Sequence, residues 1–472
     1  MANNFLKVLL VVHFIVVLRS TLCNNIALCT QESASELINK TNSIPLEYIS
    51  GTGYAISVKV GSQPLLLALN STVCGIVLFE DTKQICFHDD SKPCYIPSAS
   101  TTASWCNNNT VCVPGTNKFS CVTVASPDSI KDVTPIYFHS NGFKYELRTL
   151  EGFENISLKI DHKEGGYDAE KIPVKLARTI NVGDYPRILK NVDGIFGLAG
   201  LDICCRGKSL WNNILNDYEG YFVVDINKPD YNNPQSKIYL GLDKLRDSEI
   251  AWSEKRQFGG IYNNAYLQFT MYNFTMCGVN LFGKVSSNWE AIIDLSSESL
   301  VVPKNFWITI MTYLPVDPSC FTQDNKPKYC TLKKDSSGDF PLLQFKLKED
   351  YHVNFDKVTN PTITIPLENL LIDDGESWKI CILPDEISEP SPYTISPTIK
   401  IGYKVLESLN IAIDTKGNRI GLINKNQIDG TSSKCTKKIS CVGDQVYEPA
   451  LNVCVDPYCN VWLMKRLNKE TG

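Results

Sequence analysis

The chain carries no surplus of charge: 46 Lys and Arg stand against 51 Asp and Glu in 472 residues, a formal charge of −5. That balance gives no basic footprint for nucleic acid or anionic lipid, so neither is expected as a partner. Metal-ligand spacing is missing as well. No Cys-x-x-Cys pair occurs and the five histidines form no His-Glu-x-x-His unit, so the expectation is of no metal and no cofactor. No apolar run reaches the length of a bilayer-spanning helix, so no membrane span is expected. The low hydrophobicity and high charge of disordered chains are also absent, with 43 % hydrophobic and 21 % charged residues. A chain of this length has ample material for two or three buried cores.

Cysteine, by contrast, is plentiful. Eighteen cysteines cluster at Cys74 to Cys121, at Cys204-Cys205 and at Cys435 to Cys459, which implies an oxidising compartment and a disulfide framework of unspecified connectivity. Lys7 followed by the apolar run Val8 to Leu18 reads as a secretory signal ending near Cys23. Its removal would leave seventeen cysteines, one of them free or in an intermolecular disulfide. Asn-x-Ser/Thr acceptors occur at Asn39, Asn70, Asn108, Asn155 and Asn273, whereas Asn360 is disqualified by Pro361. A secreted or lumenal glycoprotein is the expectation.

The body is strand-like. Tyr54-Ala-Ile-Ser-Val-Lys-Val60 and Ile156-Ser-Leu-Lys-Ile160 alternate apolar and polar residues. Helical stretches are few and short, with Ser209 to Asn216 and Pro303 to Tyr313 as the candidates. Cys86 to Cys121, rich in Ser, Thr, Asn and Pro, reads as a long disulfide-held loop. Residues 427–472 carry four cysteines and little periodicity, the pattern of a small stapled appendage. A duplication shows through. Leu65 to Leu69 ends in Asn70-Ser71-Thr72-Val73, and Ala291 to Ile293 ends in Asp294-Leu295-Ser296-Ser297. Each is followed about a hundred residues later by an apolar segment meeting a glycine, Asp193-Gly194-Ile195-Phe196-Gly197 and Ile399-Lys400-Ile401-Gly402. Two lobes facing one another would bring Asn70 and Asp294 together.

These residues resemble the pepsin-type aspartic peptidases from about Tyr48 to Asn424. Gly61-Ser62-Gln63-Pro64 is similar to the family's entry to its first buried strand. Asn70-Ser71-Thr72-Val73 stands at its first Asp-Thr-Gly-Ser, Asp193 to Ala199 at its Asp-Gly-Ile-Leu-Gly-Leu, and Ile238 to Gly241 at the strand opening its second lobe. Asp294-Leu295-Ser296-Ser297-Glu298, with Pro303 beyond, matches its second active-site motif. Gly402, Asp414 and Gly421 keep the spacing of its last strands. The resemblance implies a mainly β, bilobal double barrel with a central cleft. The implied organisation is a signal at 1–23, a short segment at 24–47, an N-terminal lobe at 48–230 with a cysteine-rich insertion at 74–121, a C-terminal lobe at 231–426 and the tail at 427–472.

The departures from the family carry the functional expectation. Its chemistry needs two carboxylates about 3 Å apart sharing a proton. Asp294 is retained, but Asn70 cannot ionise. Both motif glycines are replaced, by Thr72 and Ser296. Ser71 keeps a hydroxyl for the bond between lobes while Leu295 has none, and Ser297 keeps one where Val73 does not. Tyr145 stands at the flap tyrosine without the flap's glycines, and reads equally as a packed strand residue. The implied function is binding of a protein or peptide without cleavage. The rival is a divergent acid endopeptidase using Asp294 with a substitute carboxylate such as Glu298 or Asp193; a third possibility places the biology in the tail. Asn70, if buried at the cleft floor, should carry no glycan.

Overall fold

The computed structural model describes residues 42–426 apart from 90–91, 108–110, 113–118, 131–132, 141–142, 182–188, 200–208, 230–233, 242–248, 256–266, 283–286, 315, 317–319, 321–328, 334–339, 348–359 and 386–398, together with the strands Val446–Glu448 and Val453–Val455. The signal at 1–23, Asn39, Asn108, Cys204-Cys205 and most of the 427–472 tail lie outside the described residues. The protein is mainly β.

The first large sheet has ten strands. Its centre comprises β1 (Gln63–Asn70), β2 (Cys74–Phe79), β3 (Phe143–Leu158), β4 (Tyr167–Asn181) and β5 (Gly194–Leu198). β5 runs parallel to β1 with Gly197 opposite Asn70, and antiparallel to β2; β4 runs parallel to β2. β1 is flanked by β5 and by Gly53–Val60. With neighbours on both edges and the core on both faces, its sequence reads as the nearly unbroken apolar run Leu65 to Leu69.

The second large sheet has eight strands and repeats that plan. β6 (Asn288–Asp294) pairs in parallel with β8 (Ile399–Gly402), placing Gly402 opposite Asp294; β8 is antiparallel to β7 (Leu300–Pro303), and Ile382–Asp385 runs parallel to β7. Order and direction over these four strands match those of β1, β5, β2 and β4 in the first sheet. The two paired glycines are required by the same crowding. A Cβ on Gly197 would lie 2.2 Å from the Val73 carbonyl oxygen, and one on Gly402 2.4 Å from that of Ser299. In each case the chain leaving the Asn or Asp doubles back against the glycine.

A third sheet, of six strands, takes them in the order Ser43–Pro45, Lys237–Leu240, Tyr221–Asp225, Leu409–Asp414, Arg419–Asn424 and Ala251–Trp252. It draws on chain from both sides of the boundary expected near residue 230. The expected helices are present as Leu210–Asp217 and Lys304–Met311. Ser209 caps the first, its Oγ accepting from the Asn212 amide at 3.1 Å. Pro303 sits at the cap of the second, one position before its first turn. The 86–121 segment is held by the disulfides Cys86–Cys94 and Cys106–Cys121 but is not all loop as expected, since Ser104–Cys106 pairs with β3 at Gly152–Phe153 and joins the ten-stranded sheet; Cys320–Cys330 closes a loop in the second half. Cys381 is a buried thiol.

Candidate functional site

β1 and β6 each end on the residue that the duplication singled out, and each chain then turns tightly. Asn70 and Asp294 are both 1 % exposed. Asn70 Oδ1 accepts from the Thr72 amide at 2.7 Å, the Thr72 hydroxyl at 2.9 Å and the Val73 amide at 2.9 Å. Three donors on one atom fix which end of the carboxamide is oxygen. Its Nδ2 points the other way and meets no partner among the described residues. Asp294 Oδ1 repeats the arrangement, accepting from the Ser296 amide at 3.1 Å and the Ser296 hydroxyl at 2.6 Å. Thr72 and Ser296 therefore use their hydroxyls to tie down the side chain two residues earlier.

The two turns meet through Ser71. Its Oγ donates to the Ile293 carbonyl at 2.7 Å and accepts from the Leu295 amide at 2.9 Å, spanning more than two hundred residues of sequence. This is half of the reciprocal contact expected from a hydroxyl on each side; Leu295, fully apolar, offers only its backbone. Ser297 is wholly buried, its amide contacting the Asp294 carbonyl at 3.2 Å and its carbonyl accepting from the Tyr403 amide at 2.8 Å.

Burial pushes the Asp294 carboxyl above the ordinary aspartate value. Opposing this are the bonds from Ser296, the positive charge of Lys400 and the Ser297 amide. Lys400 was not singled out by sequence reasoning, yet a lysine within Ile399-Lys400-Ile401-Gly402 was the available signal: a cation in an otherwise apolar strand. Its ammonium lies 3.9 Å from Asp385 Oδ1.

Tyr145, in β3, is fully buried beside Ala68, Val73, Val77 and Phe79, which makes it a core residue of the first sheet. Asp193 is equally committed. Its Oδ1 lies 2.9 Å from His88 Nε2, and its Oδ2 accepts from Lys92 Nζ at 3.1 Å and from the Leu66 amide at 2.7 Å. Cys86, His88 and Cys94 place ligand-type atoms within 4.8 Å of one another, but the two sulfurs are joined as a disulfide and offer no thiolate to a metal. Of the described acceptor asparagines, Asn273 is exposed, Asn155 is half-buried with its Oδ1 accepting from the Lys171 amide at 2.9 Å, and Asn70 is buried.

A cavity of about 260 Å³ opens beside the Asp294 turn. Tyr48, Ser50 and Thr52, from the hairpin of Glu47–Ile49 and Gly53–Val60, form one wall, and Ser296, Glu298, Lys379 and Tyr403 form the other. Residues from both halves of the chain thus converge there, a juxtaposition that no local pattern announces. No protein-family model matches the chain, and no curated protein matches it significantly.

Proposed function

We propose that this chain is a pepsin-like protein that binds extended polypeptide between its two lobes without cutting it. The reading rests on the residues of the resemblance, and the repeat of four central strands around Asn70 and Asp294 supports it. The observation that carries the loss of catalysis is the carboxamide at Asn70, held where the pair would need a carboxyl. Peptide hydrolysis by this route needs one group to take a proton from water while its partner gives one to the carbonyl. Asn70 does neither, and Asp294 alone cannot fill both roles in one step. Losing one of two groups that act as a unit costs about 10²–10⁴ in rate or more. What remains is a buried floor flanked by sheet, and sheet edges and clefts hold extended chains by backbone hydrogen bonds. The disulfides and the lack, among the described residues, of a helix able to cross a membrane are compatible with a secreted or lumenal setting.

The test is an acid-pH digest of denatured protein substrate by purified chain, run beside its Asp294→Ala variant. No cleavage above the variant's background is expected. Pepstatin-sensitive cleavage that vanishes in the variant would overturn the reading and establish the divergent endopeptidase in its place.

A further inference from the structure

We propose that the cavity beside the Asp294 turn receives a cationic side chain, the guanidinium or ammonium of an Arg or Lys, with Glu298 as its counter-charge and the rings of Tyr48 and Tyr403 as its walls. That the cation arrives on a polypeptide rests on the function proposed above; the chemistry of the cavity does not. At about 260 Å³ the space falls below the roughly 300–1,000 Å³ of sites for whole small molecules, and suits a single long side chain.

Its lining is specific. Glu298 is the carboxylate of the cavity, on the turn that follows Asp294 and half-buried. Tyr48, Tyr54 and Tyr403 pack edge to face, with ring centroids 5.4 Å apart for Tyr48 and Tyr54, 5.5 Å for Tyr54 and Tyr403, and 6.3 Å for Tyr48 and Tyr403. Tyr54 anchors the group by donating its hydroxyl to the Asn227 carbonyl at 2.7 Å. Aromatic rings together with a carboxylate attract a partly desolvated cation. Besides burial, the Glu298 charge contributes to the raised pKa of Tyr48, Tyr403 and Cys381. Lys379 is the opposing charge in the lining, and its ammonium sits 3.6 Å from the centre of the Tyr329 ring. Hydroxyls at Ser50, Thr52 and Ser296 complete a rim of hydrogen-bond acceptors.

The experiment uses the full chain and two pairs of probes. N-acetyl-arginine methylamide and its citrulline counterpart, the same shape without charge, are titrated while the tyrosine resonances of Tyr48 and Tyr403 are followed. An alanine-rich decapeptide with one central Arg, or citrulline in its place, is titrated in parallel. The arginine derivative is expected to bind at least tenfold more tightly than the citrulline one, with Glu298→Gln reducing the difference to less than twofold and Lys379→Met strengthening arginine binding. Equal affinity of the two derivatives, a preference that survives Glu298→Gln at unchanged melting temperature, or loss of binding in Lys379→Met would each overturn the inference. If the small cation binds as expected and the Arg decapeptide gains nothing over it, the cavity assignment stands and the polypeptide reading falls. If both decapeptides bind alike, the polypeptide reading stands and the cavity assignment falls.

Discussion

Asn70 presents a locked oxygen to its own turn and a nitrogen that meets no partner among the described residues, and several consequences attach to that one side chain. Replacing it by Ala leaves the Thr72 and Val73 amides buried without their acceptor, which should destabilise the fold by about 2–4 kcal/mol; urea unfolding of Asn70→Ala measures it. Asn70→Asp has the opposite interest. The three donors that converge on Oδ1 would favour the ionised form of a carboxylate there, while burial raises the Asp294 pKa. That is the asymmetry a shared-proton pair needs, so the variant should gain acid-pH cleavage over wild type in the digest described above. Asp294 also writes a pH dependence into stability. Because its folded pKa is raised, its contribution is fully present below the unfolded aspartate pKa and is lost as pH rises through the folded value. Asp294→Asn removes that loss, so its unfolding midpoint should move less than wild type's between pH 4 and pH 7. The identities of Asn70 and Asp294 as equivalents were legible in the sequence because each closes an apolar run before small hydroxyl residues. The hydroxyl ties from Thr72 and Ser296 were not, since a residue that replaces glycine reads as crowding until its rotamer is seen.

Strands of β1 and β6 type announce themselves by composition, and the short helices by Ser209 and Pro303, but which strand lies beside which is settled at long range. The parallel pairing of β1 with β5, and of β6 with β8, joins segments more than a hundred residues apart, and only the glycines Gly197 and Gly402 hinted at it. Their substitution is correspondingly severe. Gly197→Ala or Gly402→Ala drives a methyl into a backbone carbonyl and should cost about 3 kcal/mol or more, read as loss of soluble folded protein or a collapsed melting temperature. Ser71→Ala opens the bond between the two turns and leaves the Leu295 amide buried and unpaired, at about 1–3 kcal/mol. Ser71→Thr, which keeps the hydroxyl, should recover most of it in the same denaturation experiment.

At the level of the whole molecule, two features set the chain's tolerance to its surroundings. The Cys106–Cys121 bridge closes a separation of 15 residues, and its removal by Cys106→Ser with Cys121→Ser should lower stability by about 3 kcal/mol in a denaturant titration. The spacing of cysteines pointed to such a framework without giving its pairs, because connectivity depends on which loops the sheets bring together. When secreted from a glycosylating cell, the protein should carry sugar at exposed Asn273 and none at buried Asn70, as peptide mass mapping would report. In the tail, the described strands Val446–Glu448 and Val453–Val455 pair antiparallel.

The six-stranded sheet carries a further implication. Tyr221–Asp225 lies between Lys237–Leu240 and Leu409–Asp414, so the hairpin Leu409–Asp414 and Arg419–Asn424 completes a layer begun much earlier. Severing the backbone between Leu240 and Ala251 would separate partners that still need each other's edges. Either piece expressed by itself would present raw, unpaired strand backbone and clump, whereas co-expression of the two should let them find one another and copurify, a natural basis for a split-protein sensor.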